Sequence, residues 1–431
     1  MFSSSRTLCY ALLALTVSAA AHNHGRAASK EKECAAYEPA PRSNSAVATS
    51  WYAGWHSTTG FPLSKVSWDK YTHLTYAFAE TTPDVRLLTL NGSNAELLPQ
   101  FVSEAKKNHV KALVSVGGWT GSLFFSSNVA TAQNRTLFVK TLVNFARKYK
   151  LDGLDFDWEY PGRQGIGCNT ISPSDTANFL ALLQELRRDP LGAKLTISAA
   201  VSIAPFAGPD GMPSKDVSAF AKVLDWIAIF DYDIWGPWSP TVGPNSPLDD
   251  SCETPDNQFG SGASGVKAWN EAGIPMDQLI LGVPSYGHSF RVRKADAFVN
   301  GTDTLASHPK FDTADPPVGD SWDDAAGNDE CGVAQGPGGN IDFWGLIEQG
   351  YLTQNGDFAQ GVPHRFDTCS QSPYVYNTSA EIMVAFDNAQ SFAAKGKFVK
   401  SKGMRGFAMW EAGGDSNDIL LDSIRKAVGS Y

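Results

Sequence analysis

The sequence predicts an α/β fold: a (β/α)8 TIM barrel with a small α+β insertion domain between its seventh and eighth strands. Two observations carry this expectation. Short β-branched or apolar runs alternate with longer amphipathic segments, as strands do with crossover helices, and eight such runs occur along the chain. No glycine-rich phosphate fingerprint follows the first run, as a doubly wound dinucleotide-binding sheet would need.

The runs are AVATSWYAGW (46–55), THLTYAFA (72–79), VKALVSVGG (110–118), LDGLDFDWE (151–159), KLTISAAV (194–201), DWIAIFDYD (225–233), QLILGVPSYG (278–287) and MRGFAMWE (404–411). Helical periodicity fills 96–108, 131–149, 175–188, 214–223 and 262–272 between them. The interval from the seventh run to the eighth is too long for one helix. Residues 289–386 hold Cys331, Cys369, several Gly and Pro, and the extended candidates PYVYN and EIMVAF. They are read as the α+β insertion, with a helix following within 388–402 and the barrel comprising 47–288 and 387–431. GPGG at 336–339 lacks the Lys-Ser/Thr of a phosphate-binding loop and is read as a plain loop.

The chain has 431 residues, 42% hydrophobic and 19% charged, enough to bury a sizeable core. A net charge of −10 without clustered Lys and Arg argues against nucleic acid or an anionic membrane as partner. Arg6, an apolar run over about 8–17 and small residues at 18–21 read as a secretory signal, residues 1–21, followed by a polar leader, 22–46. That apolar run is shorter than the roughly 20 residues that span a bilayer. Sequons at Asn91, Asn134, Asn300 and Asn377 suit a secreted route. Beyond the signal lie Cys34, Cys168, Cys252, Cys331 and Cys369; the expected pairs are Cys331–Cys369 and Cys168–Cys252, with Cys34 left over. No CxxC, HExxH or His-rich cluster supports a metal site. No cofactor is expected, and the chain is expected to act as a monomer.

Chemistry concentrates in LDGLDFDWE. Side chains alternate along a strand, so Asp155, Asp157 and Glu159 share one face while Leu154, Phe156 and Trp158 take the other. In a barrel the apolar face meets the helix layer and the acids line the lumen, rising toward the C-terminal rim. Like charges so close in a partly desolvated lumen cannot all ionise freely, so at least one pKa rises and a proton is shared. Such a cluster can keep a carboxylic acid protonated near neutral pH, as a general acid requires. A calcium loop is the first alternative, but it needs polar residues between its acids and a Gly after the third ligand. A purely structural acidic strand is the second; uncompensated buried carboxylates destabilise without return.

LDGLDFDWE resembles the D-G-x-D-x-D-x-E signature of family-18 glycoside hydrolases, the chitinases and their relatives. SVGGW (115–119), FDYDIWG (230–236), GVPSYGHSF (282–290) and GFAMWE (406–411) are similar to that family's other strand-end segments, and the likeness covers nearly all of the chain after about residue 47. The resemblance implies retaining hydrolysis in which the substrate's own 2-acetamido oxygen is the nucleophile. It implies Glu159 as acid and then base, Asp157 as the acetamido N–H acceptor, and Asp155 sharing a proton with Asp157. Tyr232 and Asp233 would hold the reacting sugar over Trp410. Departures from the pattern are Phe230 for Met, Asp231 for a neutral residue, His288 for Arg and Trp51 for Tyr.

Aromatic faces are platforms for sugar rings, which makes Trp55, Trp119 and Tyr286 candidates for further subsites, with core packing as the alternative for each. Trp235, Trp238 and Trp322 lie on predicted loops and could extend the cleft. Ser115 is expected to buttress Asp155, and Gly117 and Gly118 to let backbone approach closely. The expected activity is therefore a secreted endochitinase that binds chitin or chito-oligosaccharides. A non-hydrolytic chitin-binding lectin on the same scaffold and an endo-β-N-acetylglucosaminidase acting on N-glycans are the alternatives.

Overall fold

The structure, a computed structural model, describes residues 45–429. The expected signal, most of the leader, and with them Cys9 and Cys34, lie outside the described residues. Strands β1 (Val47–Ala53), β2 (His73–Thr81), β3 (Lys111–Gly117), β4 (Gly153–Asp157), β5 (Thr196–Val201), β6 (Trp226–Phe230), β7 (Leu279–Pro284) and β8 (Gly406–Trp410) occupy the eight predicted runs. Each pairs in parallel with its neighbour, and β1 pairs with both β2 and β8, so the sheet closes into an eight-stranded barrel. This is the predicted (β/α)8 architecture.

The outer face of the barrel packs beneath helices α1 (Leu98–Lys107), α2 (Ala132–Tyr149), α3 (Asp175–Arg188), α4 (Gly262–Glu271), α5 (Ala389–Lys402) and α6 (Ile419–Val428). Their starts are set by local chemistry. The Thr131 hydroxyl accepts the Asn134 N–H ahead of α2, and reciprocal capping boxes, Ser261/Ser264 and Asn388/Ser391, open α4 and α5. The helix expected over 214–223 does not form; only a 3-10 turn at Phe220–Lys222 remains. Asp216 captures the Ser218 N–H with its own side chain, and the Val217 N–H goes to Ala272, which removes donors that a helix would use.

Alternation along β4 sorts its residues as the pattern requires. Leu154, Phe156 and Trp158 are buried in the layer between barrel and helices, with Phe156 and Trp158 edge-on to Phe179 of α3. The lumen has its own small cluster, in which Ala77, Ala200, Ala228 and Ala408 leave space that larger side chains would fill. A cleft can therefore descend into the barrel from its C-terminal rim. Gly117 ends β3 at a φ of 111°, where a Cβ would stand 2.1 Å from the Asp157 carbonyl oxygen. Only glycine fits that approach.

The insertion is a five-stranded antiparallel sheet in the order 340–342, 286–291, 382–385, 372–377, 364–367, with the short helix Phe343–Glu348 beside it. Its first strand begins at Tyr286, so Tyr286 and His288 are carried by this sheet and aimed back at the barrel rim. The disulfides differ from the expected pairing: Cys168 bonds Cys331 and Cys252 bonds Cys369. The expected Cys331–Cys369 pair does not form, because each of these cysteines instead ties the insertion to a barrel loop, after β4 and after β6 respectively. Peptide mapping without reduction should recover Cys168–Cys331 and Cys252–Cys369 linked peptides and no Cys331–Cys369 peptide.

Candidate active site

Asp155 sits in the lumen between Ser115 of β3 and Ser198 of β5, its register neighbours on either side. Both hydroxyls donate to it, at 2.8 and 2.6 Å, and Trp51 Nε1–H donates at 3.1 Å. The Trp at position 51, where the family pattern has Tyr, thus still supplies a donor. Burial raises the Asp155 pKa while these donors pull it down.

One step nearer the rim, Asp157 is buried too, and its carboxyl is pushed well above the usual carboxylate range by burial, then by Glu159 and Asp155. Glu159 lies just past the end of β4 and is partly exposed. Burial, reinforced by the Asp233 charge and opposed by a hydrogen bond from Tyr160, pushes its carboxyl up to about 7. The peptide that carries Glu159 is pinned: Ser122 Oγ accepts its N–H at 3.0 Å, and Asn169 Nδ2 donates to its carbonyl at 3.2 Å.

Asp157, Glu159, Tyr232, Asp233, Trp119 and Trp410 line one cleft of about 440 Å³. Two buried polar atoms in it have no partner among the described residues: Asp157 Oδ1, an acceptor, and Tyr232 Oη, a donor. Trp410 forms part of an aromatic floor, stacked on Phe78 at 5.5 Å and tilted against Trp51 at 6.0 Å. Trp119 is 49% exposed at the rim and presents an open face. Trp55 and Tyr286 are not in the cleft wall. Trp55, 36% exposed, stands beyond Phe78 and Trp410, and Tyr286 acts on Asp233. Gly118, at φ 82°, keeps the β3 end close to Phe78, which a Cβ would touch at 2.9 Å.

Asp233 is held in a left-handed conformation, φ 56°, which Asp tolerates better than most residues. Its N–H donates to Asn245 Oδ1 at 2.9 Å, and its Oδ1 meets Tyr286 Oη at 2.7 Å and His288 Nε2 at 2.8 Å. His288, which replaces the family's Arg, is therefore committed to orienting Asp233. Phe230 joins the floor, 4.9 Å from Tyr232 and 5.9 Å from Trp51 between ring centroids. Trp235 was expected to extend the cleft, but it is buried under Phe259, stacked at 4.2 Å. Phe259 takes the place in the cleft wall instead. Trp238 is exposed beside His288, and Trp322 stacks on His56 at 3.7 Å.

Sequence reasoning missed the support behind Tyr232 and Asp233. The Ser246 hydroxyl donates to the Asp231 carbonyl, the Asn245 carbonyl accepts the Ile234 N–H, and Lys395 of α5 donates to Ser246 and, at 2.7 Å, to Asp387. Lys395, Asp387 and Asp231 are all buried. Burial pushes Asp231 up to about 7 against the pull of Lys395. The only sequence signal for this cluster was the charged residue at 231; nothing in the pattern of α5 marked Lys395 as inward-facing. Ile203 and Phe259 in the cleft wall were likewise silent, since both come from loops.

Among the described residues no group of three or more His, Cys, Asp or Glu could hold a metal ion, and no helix is long and apolar enough to cross a membrane. Barrel and site together define a glycoside hydrolase scaffold: a carboxylic acid held near neutrality at a strand end, above an aromatic floor. The chain belongs to the glycosyl hydrolases family 18, whose model matches residues 48–415. It is 53% identical to a chitinase-like effector of Moniliophthora roreri, over 89% of this chain and 93% of the relative. With chitinase A1 of Niallia circulans it shares 31% identity, over 74% of this chain and 42% of that protein. Among solved structures, a Rhizomucor miehei chitinase superposes with a TM-score of 0.79 at 33% identity, covering 88% of this chain and 99% of that one. A Cycas revoluta chitinase mutant in complex with (GlcNAc)4 gives 0.69 at 25% identity, covering 89% and 100%.

Two outcomes test the electrostatics. The folded pKa of Glu159 is raised from 4.5 to about 7, so the folded state binds the proton more tightly than the unfolded chain between those values. Stability is then fully present below about pH 4.5 and declines as pH rises through about 7. Thermal melts of Glu159→Gln should therefore show a gain over the parent that opens across this window, on the order of 1–3 kcal/mol at pH 8. Lys395→Met leaves Asp387 and Asp231 buried without their cation; denaturant unfolding should show a loss of about 3–5 kcal/mol.

Proposed function

We propose that this protein hydrolyses the β-1,4 bonds between N-acetylglucosamine residues of chitin by a retaining, substrate-assisted mechanism. The observation that carries the reading is the pair of unmet buried atoms, Asp157 Oδ1 and Tyr232 Oη, in the cleft that also holds Glu159. An acceptor and a donor in one cleft match the N–H and C=O ends of one acetamido group. The structural relative bound to (GlcNAc)4 supports a chito-oligosaccharide in this place.

In this mechanism Glu159 gives its proton to the glycosidic oxygen as the C1–O bond breaks. The acetamido oxygen closes on C1 to form an oxazolinium ion. Asp157 accepts the acetamido N–H bond and bears against the positive charge, and Tyr232 donates to the acetamido oxygen, aligning it for attack. Asp155, fixed by Trp51, Ser115 and Ser198, takes a proton from Asp157 as that charge develops. Glu159, now a carboxylate, removes a proton from water, which opens the ring ion with retention of the β configuration. Asp233, oriented by Tyr286 and His288, bonds the reacting sugar, and Trp410 provides its apolar floor. The disulfides and the signal-like N-terminus fit export to an oxidising compartment, where the substrate is found.

A second reading, binding of chitin without turnover, is favoured by one observation: relatives 53% identical carry the name chitinase-like effector. The enzymatic reading is preferred because Glu159 is present, and because its raised pKa suits an acid and serves no purpose in a lectin. Purified protein should release oligosaccharides from colloidal chitin with β-anomeric products. Glu159→Gln should lower kcat by about 10²–10⁴-fold while still binding chito-oligosaccharide. The alkaline limb of kcat/KM should fall near the Glu159 value of about 7. Tight binding with no release from either protein would establish the second reading.

A further inference from the structure

The cleft has walls on opposite sides of the barrel mouth, and one segment of the insertion is attached to both. Around the ring β8, β1, β2, β3 and β4 follow one another, so the loop after β4 stands across the mouth from β8. The segment 322–340 starts on the β8–β1 side. Trp322 Nε1–H donates to the Thr59 carbonyl, and its ring stacks on His56, which is bonded to Glu411 at 2.9 Å. Asp323 gathers the N–H groups of Gly319, Gly339 and Asn340, and the Gly338 N–H donates to the Asp324 carbonyl, closing the base of a hairpin. The arms pair at 327–328 with 334–335. The tip turns at Asp329, which accepts the N–H groups of Cys331 and Val333. The tip ends at the disulfide from Cys331 to Cys168, on the loop after β4.

That loop is the one whose Asn169 holds the Glu159 carbonyl. The two arms are exposed along nearly their whole length, so the ribbon lies against little between its anchors. A segment fixed at both ends and exposed between them is a span. Between its anchors lie the ends of β1, β2 and β3, which carry Trp55, Phe78 and Trp119.

We propose that the hairpin 324–338 is a covalently closed roof over the β1–β3 half of the cleft, so that a chitin chain enters this half end first and cannot settle into it sideways. This deepens the proposed function and rests on it for the identity of the ligand. The endo mode expected from the sequence gives way to entry from chain ends, with lateral escape blocked between successive cuts. The substrate class narrows accordingly to unbranched chains with free, unsubstituted ends. The Cys252–Cys369 disulfide ties the insertion to a loop after β6 and does not close this span.

The test uses binding kinetics on the full chain in the Glu159→Gln background, so that it needs no turnover. Chitohexaose association and dissociation are followed by stopped-flow tryptophan fluorescence with the roof closed, opened by Cys168→Ser with Cys331→Ser, and removed by replacing 326–336 with Gly-Gly. Opening or removing the roof should raise both rate constants at least fivefold while leaving Kd within about threefold. With Glu159 restored, the same changes should raise activity on carboxymethyl chitin relative to a fluorogenic chitotrioside by a similar factor. Unchanged rate constants in the hairpin-deleted protein, with an intact melting transition, overturn the roof. Absence of turnover of the trioside by the parent protein overturns only the hydrolytic reading and leaves the binding kinetics decisive.

Discussion

Everything at the site depends on placing Asp155, Asp157 and Glu159 on one face of a single strand inside a closed barrel. The strand's period of two makes this geometry unavoidable once Leu154, Phe156 and Trp158 are drawn into the helix layer. Burial is the dominant cause of every raised carboxyl in the series, and repulsion adds to it at Asp157, from Glu159 and Asp155, and at Glu159, from Asp233. The protein answers that repulsion unevenly. Asp155 receives Trp51, Ser115 and Ser198 as donors, whereas one oxygen of Asp157 receives none. The donors pull the Asp155 carboxyl down, and Asp157 has no such relief.

A strained neighbour needs a stiff frame, and the frame around Tyr232 and Asp233 is built from distant chain segments. Asn245 and Ser246 strap the left-handed turn, Lys395 fixes Ser246 from the helix layer, and Tyr286 and His288 reach in from the insertion. Lys395 faces two buried carboxylates, so removing it leaves both without their cation in a low dielectric. This explains why Asp231 can stand where the family pattern has a neutral residue. Its charge is absorbed behind the strand and does not reach the cleft.

The insertion serves the same frame on a larger scale. It contributes no residue to the cleft wall, yet its first strand orients Asp233 and its outer hairpin is bonded to the loop behind Glu159. Sugar chains are long and flexible, and a cleft that fixes one ring must restrain several. The Cys168–Cys331 bond limits the freedom of the loop behind Glu159 that would otherwise be lost on binding.

By itself the sequence determined the strand-helix alternation and the acid face of β4, because each follows from local periodicity, whereas the aromatic floor at Trp410 was implied by the family resemblance. All eight predicted strands and the lumen placement of Asp155 and Asp157 were legible for that reason. Where local side chains compete for the backbone, as Asp216 does, the helical pattern over 214–223 misled. Tertiary structure alone decided the disulfide partners, the burial of Trp235, the commitment of His288 to Asp233 and the inward turn of Lys395. Those outcomes rest on contacts between segments far apart in the chain, and no period or motif encodes which distant surface a side chain will meet.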